Sequence, residues 1–434
     1  MKKYATSPKR LYDVIIAGGG MIGSTMACSL GKNPAFNHLK IGLIEAAPKR
    51  KYNLQDVPLN RVSSLNPTTK DLLSRLGIWQ HIRRSCKVNN MKVWGSYSND
   101  SINFAGSEQE VLAYIVENDE IIHAITKELN KLNNVDVIYD AKIKTVDLNS
   151  KERPTMPRLI LEDDENYLCK LLVGADGPTS KVRQAMNVNQ LRWNYNQCGV
   201  VATLQIQNEP KNNTSFQRFL PHGPIALLPL DEDHSSLVWS TTPEKAKSLL
   251  QIPPDVFVDA VNDAFNKEPI KNSTIDSLNS LACNLVKILP VSKNYYKSEL
   301  PKIYNVIESS RALFPLGFAH SSEYTVHNVV IIGDAAHKIH PLAGQGVNLG
   351  FRDILILTDV LSKGLQEGRP LGDTQDLRIY EGQSQKSNVP VMAAVDFIHH
   401  VYTSNKELVQ AFGNFGFRVA EIPGIKSLMK NFAS

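Results

Sequence analysis

Leu11 to Lys32 reads LYDVIIAGGGMIGSTMACSLGK. Leu11 to Ala17 is a short, nearly continuous apolar run, the pattern of a central parallel strand buried on both faces. Gly18, Gly20 and Gly23 follow in the order G-x-G-x-x-G, and Met21 to Leu30 has the small and apolar residues of a helix packed on a sheet. The next strand, KIGLIEA, ends at Glu45. Strand, glycine turn, helix, strand and acid together form a dinucleotide-binding fingerprint. In it Gly18 permits a tight turn, Gly20 lets backbone reach a pyrophosphate, and Gly23 lets helix meet strand. Orphan amides at the helix start favour phosphate. Glu45 suits the two hydroxyls of an adenosine ribose and would repel a 2′-phosphate, which argues against NADP as the tightly held nucleotide.

Beyond this unit the chain predicts a helix over Leu72 to Ile82, strand over Met91 to Phe104, an amphipathic helix over Asn118 to Asn130, and strands over Asn134 to Val146, Arg158 to Leu161 and Leu168 to Val173. From about residue 190 the style changes. Val200 to Ile206, Phe216 to Leu220, Ile225 to Leu230 and Ser236 to Ser240 are closely spaced strands parted by turn residues, which predicts an antiparallel sheet. Helices over 242–250 and 254–265 follow. At Asn328 the buried α/β style returns with VVIIGDAAH, a glycine-rich loop and a helix over Val347 to Leu361, and the tail from Val389 to Lys430 reads as mostly helical. The expected architecture is α/β: a Rossmann-like dinucleotide-binding domain over 11–190 and 311–365, an inserted antiparallel-sheet domain over 191–310 that takes the substrate, and a helical region over 366–434.

Composition limits the function. The 434 residues carry 48 Lys and Arg against 43 Asp and Glu, a net charge of +5, which is no nucleic-acid footprint. The excess gathers in residues 1 to 51, with nine basic residues against two acids. The first ten residues, MKKYATSPKR, are basic and acid-free, as in the stub of an organellar targeting segment. Five scattered cysteines suggest a reducing compartment without zinc or iron–sulfur ligation. No run of 18 apolar residues occurs. His337 and His340 have a spacing compatible with metal ligation, but no Cys or further His joins them, so no metal site is expected. His234, Ser235 and Ser236 lack a nucleophile elbow, which leaves hydrolysis unsupported.

Two later segments carry chemistry. LLVGADGPTSKVR (171–183) places Asp176 after a strand, where it can bond backbone or ligand, with Arg183 available to Asp176 or to a phosphate. In VVIIGDAAHKIHPLAGQGVNLGFRD (329–353), Asp334 can accept ribityl-type hydroxyls. Gly344, Gly346 and the amides of the following helix can cradle phosphate or a ring edge.

With these three motifs in order, the chain resembles the class A flavoprotein aromatic hydroxylases, built on the p-hydroxybenzoate hydroxylase fold. Within them it is most similar to the ubiquinone-biosynthesis branch of eukaryotic mitochondria, through NRVSSLNPTT (60–69), YIVEND (114–119), QRFLPHGPIALLPL (217–230), LVWST (237–241) and RALFPLG (311–317). The resemblance implies FAD as cofactor. Glu45 would bind its adenosine ribose, Gly18 to Gly23 its pyrophosphate, Arg61 its phosphate or ribityl oxygens and Asp334 its ribityl or pyrophosphate side. Asp176 would serve FAD and pyridine-nucleotide contacts, and Pro341, Gly344, Gly346 and Asn348 would border the isoalloxazine. The implied reaction is C5-hydroxylation of a 3-polyprenyl-4-hydroxybenzoate or 4-hydroxyphenol by molecular oxygen through a flavin C4a-hydroperoxide, with no acid or base assigned. Electrons would come from ferredoxin and ferredoxin reductase. The implied place is the matrix side of the inner membrane, peripherally bound, with other ubiquinone-biosynthesis proteins. Phe219, Leu228 and Trp239 are expected to floor the ring pocket. Two alternatives stand beside this: an NAD(P)H-dependent hydroxylase of another lipophilic phenol, and a non-catalytic FAD-bearing scaffold subunit.

Overall fold

The computed structural model describes residues 10–49, 52–97, 101–105, 111–148, 156–207, 212–270, 299–404 and 409. The basic segment 1–9, Cys283 and most of the expected tail helix beyond 404 lie outside these residues.

The first strand, Arg10–Ala17, pairs in parallel with Ile41–Ile44 on one side and with Asn166–Gly174 on the other. Val135–Ile138 and Val329–Ile331 extend the parallel order outward. Val14, Ile15, Ile16 and Ala17 are all fully buried. That explains the continuous apolar run: both faces of the sheet are packed with protein, so neither side-chain parity meets water. The glycine helix Met21–Lys32 packs beside Asn118–Leu129 and the later Gly346–Gln366 helix.

The second sheet runs, in spatial order, His337–Lys338, Ala312–Ser321, Gln190–Ile206, His234–Thr241, Gly223–Pro229, Thr214–Leu220, Asn90–Trp94, Ser101–Ala105. Its pairings are antiparallel except one: Thr214–Leu220 runs parallel to Asn90–Trp94. Two strands from 90–105 therefore join a sheet that the sequence assigns to 191–310, and Ala312–Ser321 joins it from the other side. The sequence misses this because pairing over so long a separation leaves no local trace. The back of the sheet buries Phe216, Leu227, Leu237 and Trp239 against Ala246, Leu249, Phe257 and Val261 of two short helices.

Two helix boundaries differ from expectation. The helix expected from Leu72 starts at Pro67 and ends at Arg75, because the Asn66 side chain accepts from the Thr69 amide and Pro67 sits at the first helical position. The expected tail helix starts at Thr374, where Asp373 caps the amides of Gln375 and Asp376, and continues through Pro390 to Thr403. This 30-residue helix reaches from the first sheet's loops to the front of the second sheet.

Candidate functional site

Between the two sheets lies a cavity of about 1470 Å³. This exceeds the roughly 300–1,000 Å³ of an ordinary small-molecule pocket and leaves room for a cofactor and a second molecule together. At one end it is lined by Gly20 to Ile22, Arg61, Gly177, Asp334 and the loop from Pro341 to Asn348. The cavity-facing side of the second sheet forms the other end.

The glycine turn fits a phosphate-binding role. Gly18 has φ of +103°, and a Cβ there would stand 2.4 Å from the Ala175 carbonyl oxygen. A Cβ on Gly23 would meet the Gly18 carbonyl oxygen at 1.9 Å, whereas one on Gly20 would meet no protein atom within 4 Å. Gly18 and Gly23 therefore build the turn, and Gly20 faces open cavity. Glu45 accepts from the Gly19 amide at 2.6 Å and the Ala47 amide at 2.7 Å, which locks its carboxylate beside the turn. Neither Glu45 nor Asp176 lines the cavity. One Asp176 oxygen accepts from the Lys181 and Val182 amides; the other is buried and has no partner.

Arg183 pairs with neither Asp176 nor a phosphate site. It is buried and donates to the carbonyls of Ala335 at 2.7 Å and Pro178 at 2.7 Å, so it staples the second motif to the third. Asn348 lines the cavity, and its side chain is held by protein on every side. Its oxygen accepts from the Asn66 amide and the Thr69 hydroxyl, and its nitrogen donates to the carbonyls of Ser64 and Gly344. Its carboxamide is thereby fully committed to protein. It clamps the start of the Pro67 helix to the Pro341 loop.

Beneath this loop is a buried network that the sequence does not reveal. His337 Nε2 lies 2.7 Å from Asp353, whose carboxylate also accepts from the Gly333 amide at 2.9 Å, Asn388 at 2.9 Å and the Ser384 hydroxyl. Burial opposes the His337 imidazolium, but the charge and hydrogen bond of Asp353, with help from Asp334, outweigh it and hold this histidine above its ordinary value. Asp334 opens onto the cavity. The protein packed around it raises its carboxyl pKa, opposed by His337 and Lys338.

A second buried cluster stands behind Pro341. Gln197 Oε1 faces Nε2 of both His340 (3.3 Å) and His399 (3.0 Å), while the Gln197 amide donates to the His222 carbonyl. The His340 Nδ1 accepts from the Leu342 amide, which leaves its proton on Nε2. Burial pushes His340 down to about 3 and His399 to about 4, each assisted by a neighbouring histidine and, for His399, opposed by Asp396. Both fold neutral, and the unfolded chain binds protons near pH 6.5 that the native state refuses. Stability should therefore fall as pH drops from about 6.5 toward 4, by up to about 1.4 kcal/mol per unit for each histidine. His337, shifted upward, contributes fully below 6.5 and leaves that slope unchanged. Denaturant unfolding at pH 7 and pH 5 checks this, and His399→Gln should flatten the difference. An equal slope in the variant would contradict it.

Of the residues expected at the ring pocket, Phe219 and Leu228 line the cavity and Trp239 does not. Strand parity is the reason: Val238 and Ser240 face the cavity, so Trp239 faces the helices behind, with Lys245 Nζ 4.7 Å above its ring. The opposite wall, unexpected from sequence, is the long helix, through Val391, Val395, Ile398 and Tyr402. Tyr402 stacks on Phe219 with ring centroids 4.0 Å apart. Of the charged residues lining the cavity, Arg61 and Asp334 belong to the cofactor-side loops and Lys338 to the edge strand of the second sheet.

The chain matches the FAD binding domain family over residues 11–282 and 308–378. It is 40% identical over 440 residues to the ubiquinone biosynthesis monooxygenase COQ6, mitochondrial, of Danio rerio, covering 99% of this chain and 91% of that protein. The same protein of Homo sapiens is 39% identical, with 99% and 93% covered. The chain belongs to the FAD-dependent ubiquinone-biosynthesis monooxygenase family. Among solved structures, the P. aeruginosa protein PqsL in complex with 2-aminobenzoylacetate shares the fold, with a TM-score of 0.69 at 20% identity and coverage of 94% and 100%. The p-nitrophenol 4-monooxygenase PnpA of Pseudomonas putida gives 0.68 at 15% identity, with 97% of each chain covered. As a member of this family of monooxygenases the protein is an FAD-dependent enzyme, and the glycine turn and the Pro341 loop, opening onto one cavity, suit that cofactor.

Proposed function

We propose that this protein hydroxylates C5 of a 3-polyprenyl-4-hydroxybenzoate or 4-hydroxyphenol in ubiquinone biosynthesis. The balance is ring C–H, dioxygen, two electrons and two protons giving ring C–OH and water. The observation that carries the reading is the single cavity whose one end is glycine turn and acidic loop and whose other end is an apolar sheet face. FAD, when bound, supplies the activation of dioxygen. The chain's part is to hold the isoalloxazine between the Pro341 loop and the sheet, orient the ring over it and keep water out. In this reading Gly18, Gly20 and Gly23 hold pyrophosphate, Glu45 the ribose, and Arg61 and Asp334 the ribityl region, with Asp176, Pro341, Gly344, Gly346 and Asn348 shaping the surrounding loops. Phe219 and Leu228 contact the ring or its tail. An isoprenoid tail gains about 0.8 kcal/mol per buried methylene, which suits walls of Val, Ile and Leu.

Ferredoxin and its reductase supply the electrons in this proposal. The enzyme works at the matrix face of the mitochondrial inner membrane, beside other proteins of the pathway. Among the described residues no helix is long and apolar enough to cross a membrane. The test uses FAD-loaded protein with ferredoxin, ferredoxin reductase, oxygen and a short-chain substrate. A product heavier by one oxygen at C5 is expected. Turnover driven equally well by NAD(P)H alone, or peroxide without product, would overturn the electron donor or the substrate respectively.

A further inference from the structure

The register of the second sheet sets Val93, Gln217, Ala226, Val238, Val201 and Ala312 side by side across six strands, and all six line the cavity. Five are apolar. Gln217 is a primary amide, only 8% exposed, whose side chain hydrogen-bonds to no residue of the described structure. Its direction is firmly set. Phe216 before it is buried in the core behind the sheet, and Arg218 after it sends its guanidinium backward onto the carbonyls of Ala264, Phe265 and Lys267. Parity leaves Gln217 facing the cavity. Its amide opens on the cavity, and a molecule that covered it without a hydrogen bond would leave the group unmet, which is unfavourable by about 1–3 kcal/mol. Strand neighbours at the same level are Val93 and Ala226, so Leu would fit the pattern better. A lone amide on an otherwise apolar wall points to a polar group on the molecule that the wall receives.

The chemistry of that partner follows from what surrounds the amide. Among the charged residues lining the cavity, Arg61 and Asp334 come from the cofactor loops and Lys338 from the sheet's edge strand beside them, and on the strands between 201 and 240 the polar lining side chains are Gln217, Ser215 and Ser240. A carboxamide can donate to and accept from one oxygen substituent. We propose that Gln217 is the residue that fixes the substrate's ring, by hydrogen-bonding an oxygen carried on it. The inference deepens the proposed function and rests on its reading that the substrate is an oxygenated aromatic.

The test is binding to the FAD-loaded enzyme, read as the perturbation of flavin absorbance on titration, with turnover as a second readout. The ligands are short-chain 3-prenyl-4-hydroxybenzoate, the matching 2-prenylphenol and prenylbenzene. Gln217→Leu should bind the oxygenated ligands at least tenfold more weakly, bind prenylbenzene as wild type does, retain its FAD and unfold at the same or higher temperature. During turnover it should divert reduced enzyme toward hydrogen peroxide. Gln217→Asn, which keeps the amide but loses reach, should fall between. Loss confined to the carboxylated ligand assigns the contact to the ring carboxylate, and loss for both assigns it to the hydroxyl. Equal affinity of Gln217→Leu and wild type for both oxygenated ligands would overturn the proposal, as would an equal loss for prenylbenzene, which would mark a packing role. A ligand that binds through Gln217 yet is not hydroxylated by wild type with ferredoxin would defeat the functional reading and leave this assignment standing.

Discussion

An Asp353→Ala variant is expected to lose about 3–5 kcal/mol of stability and to purify with little FAD. Asp353 is fully buried, and its two oxygens serve His337, the Gly333 amide, Ser384 and Asn388 at once. Removing it takes the acceptor from His337, the Gly333 amide and the Ser384 hydroxyl and leaves Asn388 only the Ser384 oxygen, in an interior where each unmet group is costly. The link to the cofactor is geometric. Gly333 has φ of +59° and immediately precedes Asp334, so freeing its amide frees the turn that aims Asp334 into the cavity. Asp353→Asn preserves shape and one acceptor while removing the charge that stabilises the His337 imidazolium, and should fall between Ala and wild type. Denaturant unfolding of the FAD-free and FAD-loaded forms, with the 450/280 nm absorbance ratio, reads both effects. A loss under 1 kcal/mol with normal flavin content would show that the network is not needed.

The second large effect separates two glycines of one motif. Gly23→Ala should yield little folded protein, because its Cβ would collide with the Gly18 carbonyl oxygen at 1.9 Å and the helix would have to leave the sheet. Gly20→Ala meets no protein atom within 4 Å, and Gly20 already has the extended backbone of a helix N-cap, with φ of −68°. Its fold should survive. Its methyl group would instead occupy the approach to the pyrophosphate, and FAD affinity should drop about 100-fold, equivalent to roughly 2.7 kcal/mol. Circular dichroism and flavin titration of both variants decide the matter. A Gly20→Ala protein that holds FAD as tightly as wild type would remove the turn from the cofactor site.

These contrasts show where sequence reading succeeds and where it stops. The glycine turn, the buried strand and Glu45 lie within one βαβ unit, so local spacing carries their arrangement. Asp353, Ser384 and Asn388 sit on two helices and meet His337 only after folding; singly, each reads as an ordinary polar residue on a helix face. The strand Leu237 to Thr241 reads as pocket floor without fixing which parity faces inward, and a shift of one residue places Val238 and Ser240 there instead of Trp239. The Asn66–Pro67 pair did contain a readable helix start, which the apolar pattern beginning at Leu72 obscured. Gln217 also left a signal, a lone amide between Phe216 and Phe219.

The scattered origin of the second sheet has a consequence for how the chain is made. Asn90–Trp94 and Ser101–Ala105 pair with each other, but Asn90–Trp94 finds its second partner only at Thr214–Leu220, and the other flank waits for Ala312–Ser321. On the ribosome the early hairpin must persist as an unmatched edge while more than a hundred further residues emerge. Such nonlocal topology folds slowly and exposes aggregation-prone edges meanwhile. No contiguous fragment contains the whole sheet without also containing most of the dinucleotide-binding half. Attempts to express either half alone should give insoluble material, and the intact chain should gain most from chaperone assistance during synthesis.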